Sequence, residues 1–170
     1  MVETLEIERK FLISNVKEET CWEKEHIVYQ WYTEISSSKN EKLKIIFDLT
    51  SSRLIYVHVT KKKIGNGQAR KEITYLSPSE FNPDSMIGVP FVLKRRAIIG
   101  KIFIDKFVVN NGITEYLLEN EGDPLEPLRG VFDLGVEVTE NSAFYNQTMA
   151  VPFTQKDAEK LKYFLKIYTF

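Results

Sequence analysis

The sequence predicts a mainly-β fold: an antiparallel sheet or barrel with a few helices packed outside it, in one domain spanning residues 1–170. Three observations predict this. Apolar and polar residues alternate with period two in eight separate segments, the mark of strands with two unlike faces. Hairpin signals punctuate those segments, with Asn66-Gly67 and Asn110-Asn111-Gly112 the clearest. Helical spacing is confined to short connections and the C-terminal tail.

The first segment, 4–13, sets Leu5, Ile7, Arg9 and Phe11 against Glu6, Glu8 and Lys10. The second, 26–35, carries His26, Val28, Gln30 and Tyr32 on one side, with Tyr29 and Trp31 as outer packing under a helix. In the third, 41–49, Lys42 and Lys44 oppose Leu43, Ile45 and Phe47. In the fourth, 54–63, Tyr56, His58, Thr60 and Lys62 oppose Ile55, Val57 and Val59. Arg70 and Glu72 share a face of the fifth, 69–76, and Lys94 and Arg96 a face of the sixth, 90–98. Phe103 and Asp105 oppose Ile102 and Ile104 in the seventh, 101–109, and Glu119 and Glu121 share a face of the eighth, 113–121. Ser77-Pro78-Ser79-Glu80 reads as a capping box opening a short helix toward Gly88. The acidic stretch 16–25 reads as a helix crossing the first connection. The tail 154–168 reads as a helix, with Thr154 as N-cap and Leu161, Phe164, Leu165 and Tyr168 at helical spacing. Its aromatic residues suit docking on the sheet or a homodimer contact.

Composition narrows the function. A net charge of −1 gives no global basic field, so nucleic acid is not an expected partner and anion binding must come from local placement of charge. The single cysteine, Cys21, excludes an internal disulfide and reads as a passive residue. With only His26 and His58, a Ser–His–Asp triad or a histidine-rich zinc site is disfavoured. No apolar run approaches the ~20 residues of a membrane helix, and the acidic start is not a signal peptide, so a cytoplasmic, soluble protein is expected.

Residues two apart on a strand project to one face, roughly 6.5–7 Å apart. Polar residues along one face of a single strand usually mean solvent. Here the carboxylate pairs Glu6/Glu8 and Glu119/Glu121 sit on the first and last strands, and Lys42/Lys44, Lys62, Arg70 and Lys94/Arg96 on the strands between. If the sheet closes, the four carboxylates converge opposite a basic wall. A hard divalent cation, Mg²⁺ or Mn²⁺, resolves the repulsion among oxygen ligands. The basic wall suits phosphate through charge-assisted hydrogen bonds.

These residues resemble the signature of the CYTH superfamily, the triphosphate tunnel metalloenzymes. Glu6-Ile7-Glu8-Arg9-Lys10 is similar to the E-x-E-x-K pattern, Gln30-Trp31-Tyr32 to Q-x-Y, and Lys42-Leu43-Lys44 stands where R-x-R is usual. Thr60-Lys61-Lys62, Arg70-Lys71-Glu72, Lys94-Arg95-Arg96, Ile104–Phe107 and Leu118–Glu121 follow in the family's order. Leu134-Gly135-Val136-Glu137-Val138-Thr139, with Tyr145-Asn146 after it, resembles a bacterial L-G-x-E-V-T…Y-x-N block. The resemblance spans about residues 3–150. It implies an eight-stranded closed antiparallel barrel, a tunnel with a charged bore and helices outside, acting on triphosphate compounds with Mg²⁺ or Mn²⁺. Carried over, Glu6, Glu8, Glu119, Glu121 and Glu137 are metal ligands, and Lys10, Lys42, Lys44, Lys62, Arg70, Lys94 and Arg96 bind the phosphates. Lys42 and Lys44 lack the planar fork of arginine, Ala143 replaces an arginine, and Thr74 a glutamate.

The activity expected is metal-dependent hydrolysis of a triphosphate, inorganic triphosphate first, with Glu6, Glu8 and Lys10 at the reacting centre. The rivals are a class IV-type adenylyl cyclase on the same scaffold and a module that holds polyphosphate or nucleotide without turnover.

Overall fold

The computed structural model describes residues 2–16, 22–65, 68–120 and 132–168. Among these residues are eleven strands: β1 (Val2–Ile7), β2 (Arg9–Val16), β3 (Lys24–Ile35), β4 (Lys39–Asp48), β5 (Arg53–Gly65), β6 (Gln68–Tyr75), β7 (Pro90–Ile99), β8 (Ile102–Val109), β9 (Tyr116–Asn120), β10 (Phe132–Glu137) and β11 (Val151–Pro152). Two helices accompany them, α1 (Asn146–Met149) and α2 (Gln155–Tyr168). Neither is long and apolar enough to cross a membrane.

The mainly-β, antiparallel expectation agrees with this architecture, but the closed eight-stranded barrel does not. The hydrogen-bonded order is β1-β6-β5-β4-β3-β7-β8-β9-β2-β10, with β11 paired to β7 off this path. It is an open sheet of ten strands, and among the described residues no ladder joins its edges β1 and β10. The physical reason lies at both ends of the chain's β region. The segment read as one first strand breaks at Glu8, so β1 pairs only with β6 and β2 pairs with β9. The stretch 132–137, which is not among the eight segments, then adds β10 outside β2 through two register shifts. Only Glu8 separates β1 from β2 in the chain, yet the two lie toward opposite ends of the strand order, so the sheet has to curl strongly.

The curl gives the sheet two unlike faces. On the outer face, Tyr29, Trp31, Ile45, Phe47, Tyr56 and Phe91 form an apolar layer covered by Ala158 and Leu161 of α2. Trp31 is fully buried, with the Phe153 ring set edge-on to it at 5.3 Å. A second outer cluster joins Phe11 and Ile13 of β2 to Ile102, Ile104 and Leu118. On the inner face, Val92, Phe107 and Leu117 meet Val138 and Met149 in a third cluster. This third cluster forms an apolar floor at one end of the concavity. One strand step further along β7, β8 and β9 stand Lys94, Asp105 and Glu119.

The turns and helices follow local chemistry. Asn110 Oδ1 accepts from Ile113 N at 2.5 Å while Gly112 adopts φ 82°, closing the connection from β8. Asn66-Gly67 lies outside the described residues, though Gly65 and Gln68 pair directly beside it. The helix expected up to Gly88 is two 3₁₀ turns, Pro78–Glu80 and Pro83–Met86, because Pro83 cannot donate the N–H that would continue the first. Of the helix expected over 16–25, residues 17–21 lie outside the described residues, and the rest is not helical: Val16 ends β2, and Lys24 and Glu25 belong to β3. α2 begins as the sequence predicts: Thr154 Oγ1 accepts from Asp157 N at 3.1 Å, and Asp157 Oδ2 accepts from Thr154 N at 2.9 Å. Thr154→Ala is expected to cost about 1 kcal/mol, read as a lower urea midpoint, and Thr154→Ser to restore most of it.

Candidate functional site: a cationic cavity

The inner face encloses a cavity of about 400 Å³ that draws on β2 to β7, β9 and the segment around α1. Among the described residues, nine lysine and arginine side chains line it against three glutamates, which explains how a chain of net charge −1 builds a strongly positive site. Lys94, Glu119, Gln30, Tyr32 and Lys10 are its deepest members, all buried. Lys63 and Glu140 are exposed at its rim.

Its deep wall is an ion-pair network. Asp105 is fully buried and accepts from Lys94 Nζ at 3.0 Å and from Arg96 Nε and a terminal Arg96 nitrogen, each at 2.7 Å. Arg96 also reaches Glu119 at 3.2 Å, and Lys94 donates to Asn146 Oδ1 at 3.3 Å. Burial pushes the Asp105 carboxyl up, but Arg96 and Lys94 more than reverse this and hold it below the ordinary carboxylate range. Glu119 behaves alike: burial raises it, and Lys10, Arg96 and Lys94 bring it well below its ordinary value. Lys94 is pulled down by burial first and by Arg96 second.

Lys10 joins the two acidic strands. Its ammonium lies 3.1 Å from Glu8 and 3.7 Å from Glu119. Burial lowers its pKa, and the two glutamates raise it by more, so it stays charged. Lys61 approaches Glu8 from β5 at 3.7 Å. Lys44 is the exception among these cations. It lines the cavity, and among the described residues no carboxylate and no hydrogen-bond acceptor pairs with it. Burial, then Lys42, Lys71, Lys94 and Arg96, holds its pKa well below that of an ordinary lysine. Nearby, the Gln30 amide donates to the Tyr32 hydroxyl, and burial pushes the Tyr32 phenol far up, so it remains protonated.

The segment following β10 forms one side of the site. The Lys10 backbone N–H donates to Thr139 Oγ1 at 2.9 Å, and Asn40 Nδ2 donates to Gln147 Oε1 at 2.9 Å. The Lys10 ammonium also faces the Tyr145 ring, 5.6 Å from its centroid.

Of the residues the sequence nominates, Glu8, Lys10, Lys42, Lys44, Lys94, Arg96 and Glu119 all line the cavity. Lys62 and Arg70 do not. They pair with each other across β5 and β6 on the outer face, with His58 on that face too, and Lys61, Lys63 and Lys71 take the inner positions. A one-residue change of phase turns every side chain of a strand over. Val57 and Val59, buried and sharing the face of Lys61, carry the true phase. Glu137 is also elsewhere: it is bound by Arg9 at 2.9 and 3.0 Å, and its register with Phe11 puts it on the face opposite Lys10. Glu6 is in register with Ala69, its side chain outside what is described. Glu121 and Cys21 lie outside the described residues. Lys39, Asn40, Lys61, Lys63, Lys71, Thr139 and Tyr145–Gln147 are cavity residues that the alternation does not nominate.

Among the described residues no three His, Cys, Asp or Glu side chains converge as a metal cage. Mg²⁺ is usually held by one or two carboxylates together with phosphate oxygens and water. Glu8 and Glu119 are the described carboxylates that could serve: both flank the Lys10 ammonium, at 3.1 and 3.7 Å, and Glu119 Oε1 is buried with no hydrogen-bond partner among the described residues. The donor set therefore fits a metal bound jointly with a phosphate.

No protein-family model matches the chain, and no curated protein matches it. Among solved structures, the PH1819 protein from Pyrococcus horikoshii OT3 aligns at a TM-score of 0.47 and 11% identity, over 96% of this chain and 90% of that one.

Proposed function

We propose that this chain binds a linear phosphate chain, inorganic triphosphate foremost, in the cationic cavity and hydrolyses it with Mg²⁺ or Mn²⁺, in the cytoplasm. The observation that carries the proposal is Lys44, a cavity-lining lysine set among Lys42, Lys71, Lys94 and Arg96 with no carboxylate paired to it among the described residues. A cluster of like charges held this way is costly, and a polyanion relieves it. The resemblance of the E-x-E-x-K and K-x-R segments to triphosphate tunnel metalloenzymes points the same way.

The roles of the side chains follow from their partners. Lys42, Lys44 and Lys71 are placed to bind phosphate oxygens. Asp105 fixes Arg96, and Arg96 fixes Glu119. Lys10 keeps the carboxylates of Glu8 and Glu119 at one place, where they would hold the metal. A bound divalent ion supplies Lewis acidity toward the phosphoryl oxygens. The protonated Tyr32 hydroxyl can only donate or accept a hydrogen bond and carries no charge to repel the anion.

The test is phosphate release from inorganic triphosphate and from ATP with Mg²⁺, Mn²⁺ or EDTA. Release that is faster from inorganic triphosphate, abolished by EDTA and cut about 100-fold or more in Glu119→Gln is expected. One observation favours a second reading, binding without turnover: Arg96, the one arginine lining the cavity among the described residues, is bound to Asp105 and Glu119. Tight triphosphate binding with no release under either metal would establish that reading instead.

A further inference from the structure

We propose that Lys44 is a covalent capture site for a small aldehyde bearing a phosphate group, its ε-amine forming an imine while neighbouring cations hold the phosphate. The inference goes beyond hydrolysis; it shares with the function above only the need for the cavity to hold a phosphate.

The argument begins with contrast. Lys94 is spent on Asp105 and Asn146, and Lys10 on Glu8 and Glu119. Among the described residues, Lys44 alone of these three has no acceptor, and it lines a cavity of about 400 Å³, room enough for a small phosphorylated carbonyl compound. Among the described residues, the charged groups that act on it most are cationic: Lys42 from its own strand, Lys71 from β6, and Lys94 and Arg96 from β7. Burial and these neighbours disfavour a further positive charge, so the amine is held neutral more readily than on an exposed lysine. The neutral amine is the nucleophile, and a desolvated lysine beside other cations is the setting that activates it. Lys42 and Lys71 are placed to hold the phosphate, which brings the carbonyl to the amine.

The reaction balances without oxidant or reductant. The Lys44 nitrogen attacks the carbonyl carbon, and the tetrahedral adduct expels the carbonyl oxygen with the two amine hydrogens as water. A C=N bond replaces the C=O bond.

The experiment treats the full chain with pyridoxal 5′-phosphate, reduces it with borohydride, and maps the labelled peptide. Pyridoxal without phosphate is the control. A single reduced adduct on Lys44 is expected, formed about tenfold or more faster than with pyridoxal, absent from a folded Lys44→Arg variant and suppressed by inorganic triphosphate. Adducts scattered over surface lysines, an adduct on another cavity lysine, or equal rates with both aldehydes would overturn the proposal. Labelling of Lys44 that inorganic triphosphate leaves unchanged would uphold the capture site and sink the triphosphate reading.

Discussion

Asp105→Ala is expected to cost about 3–5 kcal/mol at neutral pH, the usual penalty for removing one member of a buried ion-pair network. Asp105 has no exposed surface and accepts three charge-assisted hydrogen bonds from Lys94 and Arg96. Without it, two deeply placed cations lose their shared carboxylate, and Arg96 keeps Glu119 while Lys94 keeps the Asn146 amide. Asp105→Asn keeps the shape and removes the charge, and it should cost nearly as much if the charge is what matters. The pH dependence has a definite sign. Asp105 and Glu119 both have folded-state pKa values below their ordinary ones. Their contribution is therefore fully present above about pH 4, the range of unfolded carboxylates, and is lost as pH falls through the depressed values. The deficit of either variant, read from urea unfolding, should be full at pH 7 and shrink in acid. A loss under about 1 kcal/mol at pH 7, or one independent of pH, would mean that the network contributes little to folding.

Lys44→Met should move stability and binding in opposite directions. An apolar side chain of similar length removes a poorly compensated cation from among Lys42, Lys71, Lys94 and Arg96, and a gain of about 1–2 kcal/mol is expected at pH 7. The sign with pH follows from the lowered pKa. Between the folded value and about 10.4 the unfolded chain holds the proton that the folded protein has lost, so wild-type stability climbs with pH. The gain in the variant should accordingly shrink as pH rises from 7 toward 10. Affinity for inorganic triphosphate should fall about 10- to 100-fold, the worth of one charge-assisted hydrogen bond. Calorimetric titration beside urea unfolding reads both. A variant that is destabilised, or that binds triphosphate as well as the wild type, would remove Lys44 from the centre of the site.

Much of this protein was legible where one strand face is apolar and the other is not. Leu43, Ile45 and Phe47 against Lys42 and Lys44 set the phase of β4 without ambiguity, because only one assignment buries the apolar set. Phe91 and Leu93 do the same for Lys94, and Thr154 with Asp157 marks the start of α2. The lysine run 61–63 and the stretch Arg70-Lys71-Glu72 carry no such contrast. With like residues at adjacent positions, both phases look equally polar, and the pairing of Lys61 with Lys71 became visible only in the ladder.

The sequence by itself determined the strand-rich antiparallel character, the helical tail and the charged residues of β2, β4, β7 and β9, since each rests on a periodicity local to one segment. Tertiary structure decided what depends on neighbours distant in the chain. The break at Glu8 and the addition of β10 leave the sheet open, because hydrogen-bond partners and not alternation choose where a ladder ends. Arg9 draws Glu137 to the outer face, and the segment around α1 brings Tyr145, Asn146 and Gln147 to the cavity. The same packing surrounds Lys44 with cations from three strands and, among the described residues, gives it no paired carboxylate, a property of assembled strands that no single strand carries.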